Sequence, residues 1–117
     1  MKRILVCDDS SFMRTHIKSM VTRNGFEVIG EAEDGLDAIV KYRELKPDLV
    51  TMDITMPNMS GIDALKHIIK LDSDARVVML SVMGQEALVK ESILAGAKSF
   101  LVKPFSEDDL IKVLSKV

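Results

Sequence analysis

The stretch Leu49-Val50-Thr51-Met52-Asp53, continued by Ile54-Thr55-Met56-Pro57-Asn58-Met59-Ser60-Gly61, decides how the rest of the chain is read. Leu49 to Met52 are residues that a strand buries on both faces. Pro57 and Gly61 mark a loop, because Pro removes a backbone donor and Gly permits unusual dihedrals. Asp53 is therefore placed where a buried strand meets solvent. In an open α/β sheet, ligands gather in the crevice outside the carboxyl ends of the strands.

Working outward, the same unit recurs. Arg3–Cys7 is an apolar strand that runs into Asp8-Asp9. Ser10 or Ser11 is placed to cap a helix, whose apolar face is Met13, Ile17, Met20 and Val21. Arg14, Lys18 and Arg23 lie mostly off that face. Asn24-Gly25 stops the helix. Glu27–Ala32 reads as a more polar strand, nearer an edge. Asp34-Gly35 turns into a second helix with an Ala38, Tyr42, Leu45 stripe, ended by Lys46-Pro47. After the Asp53 strand, Ile62, Leu65, Ile68 and Ile69 repeat at helical spacing. Val77–Leu80 is a fourth strand ending in Ser81, and Gly84-Gln85 lead to a helix that stops at Gly96. Phe100–Val102 is a fifth strand ending in Lys103-Pro104. Ser106 and Asp109 have capping-box spacing before a last helix faced by Leu110, Val113, Leu114 and Val117.

Five strands alternate with five helices, and each interval is long enough for a parallel crossover. Such alternation predicts an α/β fold, a doubly wound parallel sheet covered by helices on both faces. The 117 residues suit one domain, 1–117, and 47% hydrophobic residues are enough for a core. The net charge of −2, from 16 basic and 18 acidic residues, argues against a nucleic-acid binder with a basic face. No apolar run approaches the roughly 20 residues of a membrane span, and no secretory signal is visible. Cys7, the only cysteine, fits a reducing compartment and reads as a small buried apolar residue. The eight methionines read mostly as core, and His16 and His67 as surface residues on helices.

In a parallel sheet the strand ends share one edge. Asp8, Asp9, Asp53, Ser81 and Lys103 are thus expected to converge. At 4 Å a like-charged pair costs roughly 4 kcal/mol at an effective dielectric of 20. One lysine cannot neutralise three carboxylates, so either protons are taken up or a cation sits there. The hard-oxygen donor set favours Mg²⁺, with Mn²⁺ as a substitute, over zinc. Beside a dication, a carboxylate oxygen of Asp53 is able to attack a phosphoryl group, while Lys103 neutralises charge on the phosphoryl oxygens.

Nearly the whole chain resembles a response-regulator receiver domain, closest to stand-alone chemotaxis regulators of the CheY type. The residues that carry the likeness are Asp8-Asp9, the run Met52-Asp53-Ile54-Thr55-Met56-Pro57-Asn58-Met59-Ser60-Gly61, Ser81, and Lys103-Pro104-Phe105. The resemblance implies strand order 2-1-3-4-5, the flavodoxin-like order usually illustrated by CheY itself. It implies a signalling protein that takes a phosphoryl group on Asp53 from a histidine kinase, with Mg²⁺ held by Asp8, Asp9, Asp53 and the Thr55 backbone carbonyl. The same likeness gives Lys103 as the phosphate-contacting lysine, a cis bond between Lys103 and Pro104, and Ser81 with Phe100 as the pair that rearranges on phosphorylation. Phe100 is equally readable as plain core. Thr55 and Met83 flank the path of a hydrolytic water, and Val82 stands where a smaller Ala is frequent.

The output face implied is the fourth helix, fifth strand and fifth helix, with Gly84, Val89, Phe100 and Val102 as partner contacts. The partners implied are a CheA-type kinase, a flagellar motor switch protein and a dedicated phosphatase, for a cytoplasmic monomer that neither enters membranes nor binds nucleic acid. A phosphorelay intermediate remains an alternative on the same module. Two other classes fit less well. A flavin carrier would set its phosphate beside Asp8-Asp9, and there is no Trp and one Tyr to flank the ring. An aspartyl-phosphate hydrolase would carry its nucleophile on the first strand in an Asp-x-Asp pattern.

Overall fold

Apolar strands that bury both faces must be covered on both sides, and the computed structural model of the protein shows how. It describes residues 2–117; Met1, included in the expected domain, lies outside the described residues. The elements run β1 (Arg3–Cys7), α1 (Ser11–Arg23), β2 (Glu27–Ala32), α2 (Gly35–Leu45), β3 (Leu49–Asp53), α3 (Gly61–Leu71), β4 (Val77–Ser81), α4 (Glu86–Leu94), β5 (Ser99–Val102) and α5 (Glu107–Lys116). All pairings are parallel and the order is β2-β1-β3-β4-β5. The strand order and alternation expected from the sequence are both present.

Strand periodicity divides the core in two. On one face Ile4, Val6, Leu49, Val78 and Leu80 meet Ile17, Met20 and Val21 of α1 and Leu110 and Leu114 of α5. On the other, Leu5, Cys7, Val50, Met52 and Met79 meet Ala38 and Tyr42 of α2 and Ile62, Leu65 and Ile68 of α3. Every residue of β3 and β4 is buried, and apart from Thr51, Asp53 and Ser81 these central strands are apolar, the pattern of a sheet covered twice. Burying one Leu or Ile side chain is worth about 1.5–3 kcal/mol, so this shared core is the main stabilising term. β2 is the polar edge strand, and its register with β1 shifts between Ile4 and Leu5, an irregularity that blunts an exposed edge.

The helix ends follow their side chains. Ser10, Asp34, Ser60 and Ser106 each accept a hydrogen bond from the backbone N–H three residues on. Of the two candidate caps for α1 it is Ser10 that serves, and Ser11 is the first helical residue. Lys46 ends α2 in the left-handed region at φ 48°, so the residue before Pro47 leaves the right-handed helix by that route rather than by an extended one. α4 differs from the rest: Gln85 gives no side-chain cap, and Ser92 alone is fully buried.

Candidate functional site

β1, β3 and β5 end at the same edge of the sheet, so the residues that follow them meet above it. Asp8 is held at each of its polar groups. Its N–H donates to Ala32 O (3.0 Å), its Oδ1 accepts from Ser10 N (2.9 Å), and its Oδ2 accepts from Lys103 Nζ (2.8 Å). Its carbonyl accepts from Arg14 Nη1 (2.6 Å). Asp9 is exposed beside it. Asp53 pairs with Leu80 in the β3–β4 ladder, which places its carboxylate 3.4 Å from Lys103 Nζ. One carboxylate oxygen from each of Asp8, Asp9 and Asp53 lies within 4.8 Å of the others.

The loop after Asp53 is drawn tight over the strand end. Gly61 N donates to Ile54 O (2.7 Å). A Cβ at Gly61 would collide with the Asp53 carbonyl oxygen, so only glycine permits this approach. Asn58, at φ 67°, donates from Nδ2 to Asp34 Oδ2 (2.8 Å) and ties the loop to the start of α2. Thr55 lies exposed within it.

The electrostatics follow from this crowding. Asp53 is only 7% exposed. Burial pushes its pKa up to about 6; Lys103 opposes that shift, and Asp8 and Asp9 add to it. Lys103 is itself half-buried and shared between two carboxylates. The corner is therefore short of positive charge. The three carboxylates, only partly neutralised by one ammonium, form an all-oxygen donor set suited to a small hard dication, so the residues present fit Mg²⁺. Thr55 also has a backbone carbonyl in the adjoining loop.

The remaining expected residues fall into two positions. Ser81 closes β4, 2% exposed, and its Oγ accepts from Met83 N (3.0 Å). Lys103 N donates to Ser81 O (2.8 Å), and the Lys103–Pro104 bond is cis. Phe100 pairs with Met79 in the ladder and packs against the α2/α3 core, on the face that Ser81 shares by alternation. Gly84 lies against β5, since a Cβ there would come 2.8 Å from Val102 Cγ2. Val102 is exposed and Val89 half-buried. His16 and His67 are exposed and stand outside the acidic cluster.

Sequence reasoning missed several participants. Arg14 was read only as lying off the apolar face of α1, yet it holds the Asp8 carbonyl. Val82 and Met83, by contrast, stand out in the sequence already, and the structure leaves them 71% and 45% exposed beside Ser81. The Asn58–Asp34 link joins two loops distant in sequence, and no local pattern announces it.

Known proteins resemble this chain in sequence and in fold. Residues 4–115 match the model of the response regulator receiver domain. The chain is 54% identical over 116 residues to the chemotaxis protein CheY of Thermotoga maritima, covering 99% of this chain and 97% of that protein. It is 54% identical over 114 residues to CheY of Bacillus subtilis, covering 97% and 95%. A chain in the crystal structure of the CheX-CheY-BeF3-Mg+2 complex from Borrelia burgdorferi superposes with TM-score 0.96 at 39% identity, covering 98% of this chain and 87% of that one. With the fold, the strand-end acids and these relatives in agreement, the chain belongs to the response regulator receiver domain family, the phosphorylation switches of two-component systems.

Proposed function

We propose that Asp53 is the phosphoacceptor of a chemotaxis switch, phosphorylated by a histidine kinase in the presence of Mg²⁺. The observation that carries this reading is the meeting of Asp8, Asp9 and Asp53 within 4.8 Å, with Lys103 spanning two of them. An Asp53 carboxylate oxygen attacks phosphorus, the bond from phosphorus to the donor histidine nitrogen breaks, and its electron pair leaves with that nitrogen. Lys103 moves from balancing carboxylates to balancing the phosphoryl oxygens. Asp8, Asp9, Asp53 and the Thr55 carbonyl would hold Mg²⁺, which when bound supplies charge neutralisation. The protein turns over only its own aspartyl phosphate, so it acts as a signal carrier rather than as an enzyme on free substrates.

A phosphoryl group adds about −1.5 to −2 charge and strong acceptor oxygens. Ser81 would exchange the Met83 amide for the phosphate, and Phe100 would refill the space beneath β4. The surface of Gly84, Val89, Phe100 and Val102 then changes for a partner to read. By analogy with the CheY relatives, the partner is a flagellar motor switch protein; the CheX-CheY-BeF3-Mg+2 complex of Borrelia burgdorferi supports a second protein partner, for which a phosphatase is our reading. By the same analogy with the CheY relatives the module acts as a cytoplasmic monomer.

Acetyl phosphate with Mg²⁺, followed by intact-mass measurement, tests the assignment. Wild type gains one phosphoryl group and Asp53→Asn gains none. Equal labelling of both would refute the phosphoacceptor role. A pull-down with motor proteins, with and without phosphoryl donor, then separates chemotaxis from a phosphorelay.

A further inference from the structure

Asp8 C=O is the first carbonyl of its chain segment beyond the β1–β2 ladder, whose last pair is Cys7 with Ala32. Without a ladder partner it needs another donor. Arg14 supplies it. The guanidinium donates through Nη1 to Asp8 O at 2.6 Å and through Nε to Glu31 Oε1 at 2.9 Å, with its side chain 14% exposed. Glu31 is fixed in turn. Its Oε2 accepts from Lys18 Nζ at 2.8 Å, and its backbone carbonyl accepts from Lys41 Nζ at 2.8 Å. A planar fork held at one prong by Glu31 presents the other in a set direction.

The carbonyl of Asp8 belongs to the peptide plane that joins Asp8 to Asp9. Fixing that oxygen fixes the plane, because a peptide unit is rigid, and the plane sets where Asp9 leaves the strand. The Asp8 carboxylate is located independently by Ser10 N and Lys103. Asp9 is exposed, so the plane is its main restraint. A small dication demands near-ideal geometry from its oxygen ligands, and residues that orient ligands commonly change metal affinity 10–100-fold when lost.

We propose that Arg14, braced by Glu31, is a positioning residue that orients the Asp8–Asp9 pair for a divalent cation. This rests on the metal reading of the acidic corner. It carries a sign that separates it from simple charge. Arg14 is a cation near a cation site, so removing it for its charge alone would tighten Mg²⁺ binding. Removing it as a brace weakens binding.

The test uses Mg²⁺ alone, titrated by calorimetry into wild type, Arg14→Gln, Arg14→Lys and Lys18→Gln, each checked for folding by circular dichroism without metal. Arg14→Gln is expected to raise Kd about tenfold. Arg14→Lys keeps the charge and loses the fork, and is expected to raise Kd by a smaller factor. Lys18→Gln loosens Glu31 but leaves the Arg14 contact to Asp8 in place, and is expected to raise Kd by clearly less than Arg14→Gln; a rise as large as that of Arg14→Gln overturns the proposal. In parallel, the Mg²⁺ concentration for half-maximal phosphorylation by acetyl phosphate should rise in the Arg14 variants while the plateau is retained. Equal or tighter Mg²⁺ binding by Arg14→Gln overturns the proposal. Should Arg14→Gln fail to fold, Arg14→Lys decides, and wild-type affinity in that variant overturns the proposal. A wild type that binds no divalent ion would instead overturn the metal reading beneath it.

Discussion

The two ends of the sheet's upper edge are built differently. On the β1–β3 side, Asp8 is held at four polar groups. The loop after Asp53 is closed by Gly61 and tied to Asp34. On the β4–α4 side, α4 has no side-chain cap and buries only Ser92 completely. Val82, Met83, Ile93 and Leu94 are all exposed there. The first region is organised before any ligand arrives, as phosphoryl transfer requires, because its catalysis is positioning and charge balance. The second is held weakly, so a small differential free energy is enough to move it. On the proposed function, chemistry and output share one sheet but not one stiffness.

The contrast is broken most severely at Lys103. Lys103→Ala removes the cation shared by Asp8 and Asp53. The rate of phosphorylation by acetyl phosphate is expected to fall about 10²–10³-fold, as when one charge-stabilising donor is lost; a rate within twofold of wild type would mean that the lysine is only structural.

Next comes the core beneath the rigid side. Leu114 is fully buried against the α1/α5 core, and Leu114→Ala is expected to cost about 2–5 kcal/mol in urea unfolding. Leu94→Ala, on exposed α4 surface, should change stability by less than about 0.5 kcal/mol. Comparable losses would erase the distinction between the two regions.

A smaller effect comes from Asp53 itself. Its pKa is raised from 3.8 to about 6 in the folded protein. Between those values the unfolded chain has lost its proton while the folded one keeps it, so stability falls as pH rises. The penalty is absent below pH 3.8 and complete above about 6. With chelator present, Asp53→Asn should therefore be more stable than wild type at pH 8 by about 1–2 kcal/mol, allowing for residual solvent screening. The difference should vanish near pH 4. A difference that grows toward acid would contradict the sign.

The smallest change targets α4. Gln85→Ser supplies the missing side-chain cap and should stabilise that helix by about 0.5–1 kcal/mol. Slower amide exchange in residues 86–94 would report it, with α3 unaffected. If exchange in α4 already matches α3 in wild type, the loose half is not loose.

Much of this was legible in the sequence, for reasons that differ from residue to residue. Asp8, Asp9, Asp53 and Lys103 could be brought together because a parallel sheet puts strand ends on one edge, and the alternation of elements made it parallel. Leu110 and Leu114 declared themselves by helical spacing. Arg14 did not, since its role depends on how α1 rotates against β2 until the guanidinium reaches Glu31. The Asn58–Asp34 link was hidden for the same reason, as it joins two loops that only the folded sheet makes neighbours. The looseness of α4 was equally hidden, because its residues are apolar enough to suggest packing that the fold does not supply.

Backbone amide spectra recorded without metal, with Mg²⁺, and with Mg²⁺ plus beryllofluoride test the central claim most directly. Mg²⁺ alone should shift signals from residues 8–10 and 53–56 and leave 86–94 in place. Adding beryllofluoride should extend the change to Ser81, Phe100, Val102 and α4. Spectra that stay unchanged at Asp8, Asp9 and Asp53 through both additions would contradict the account.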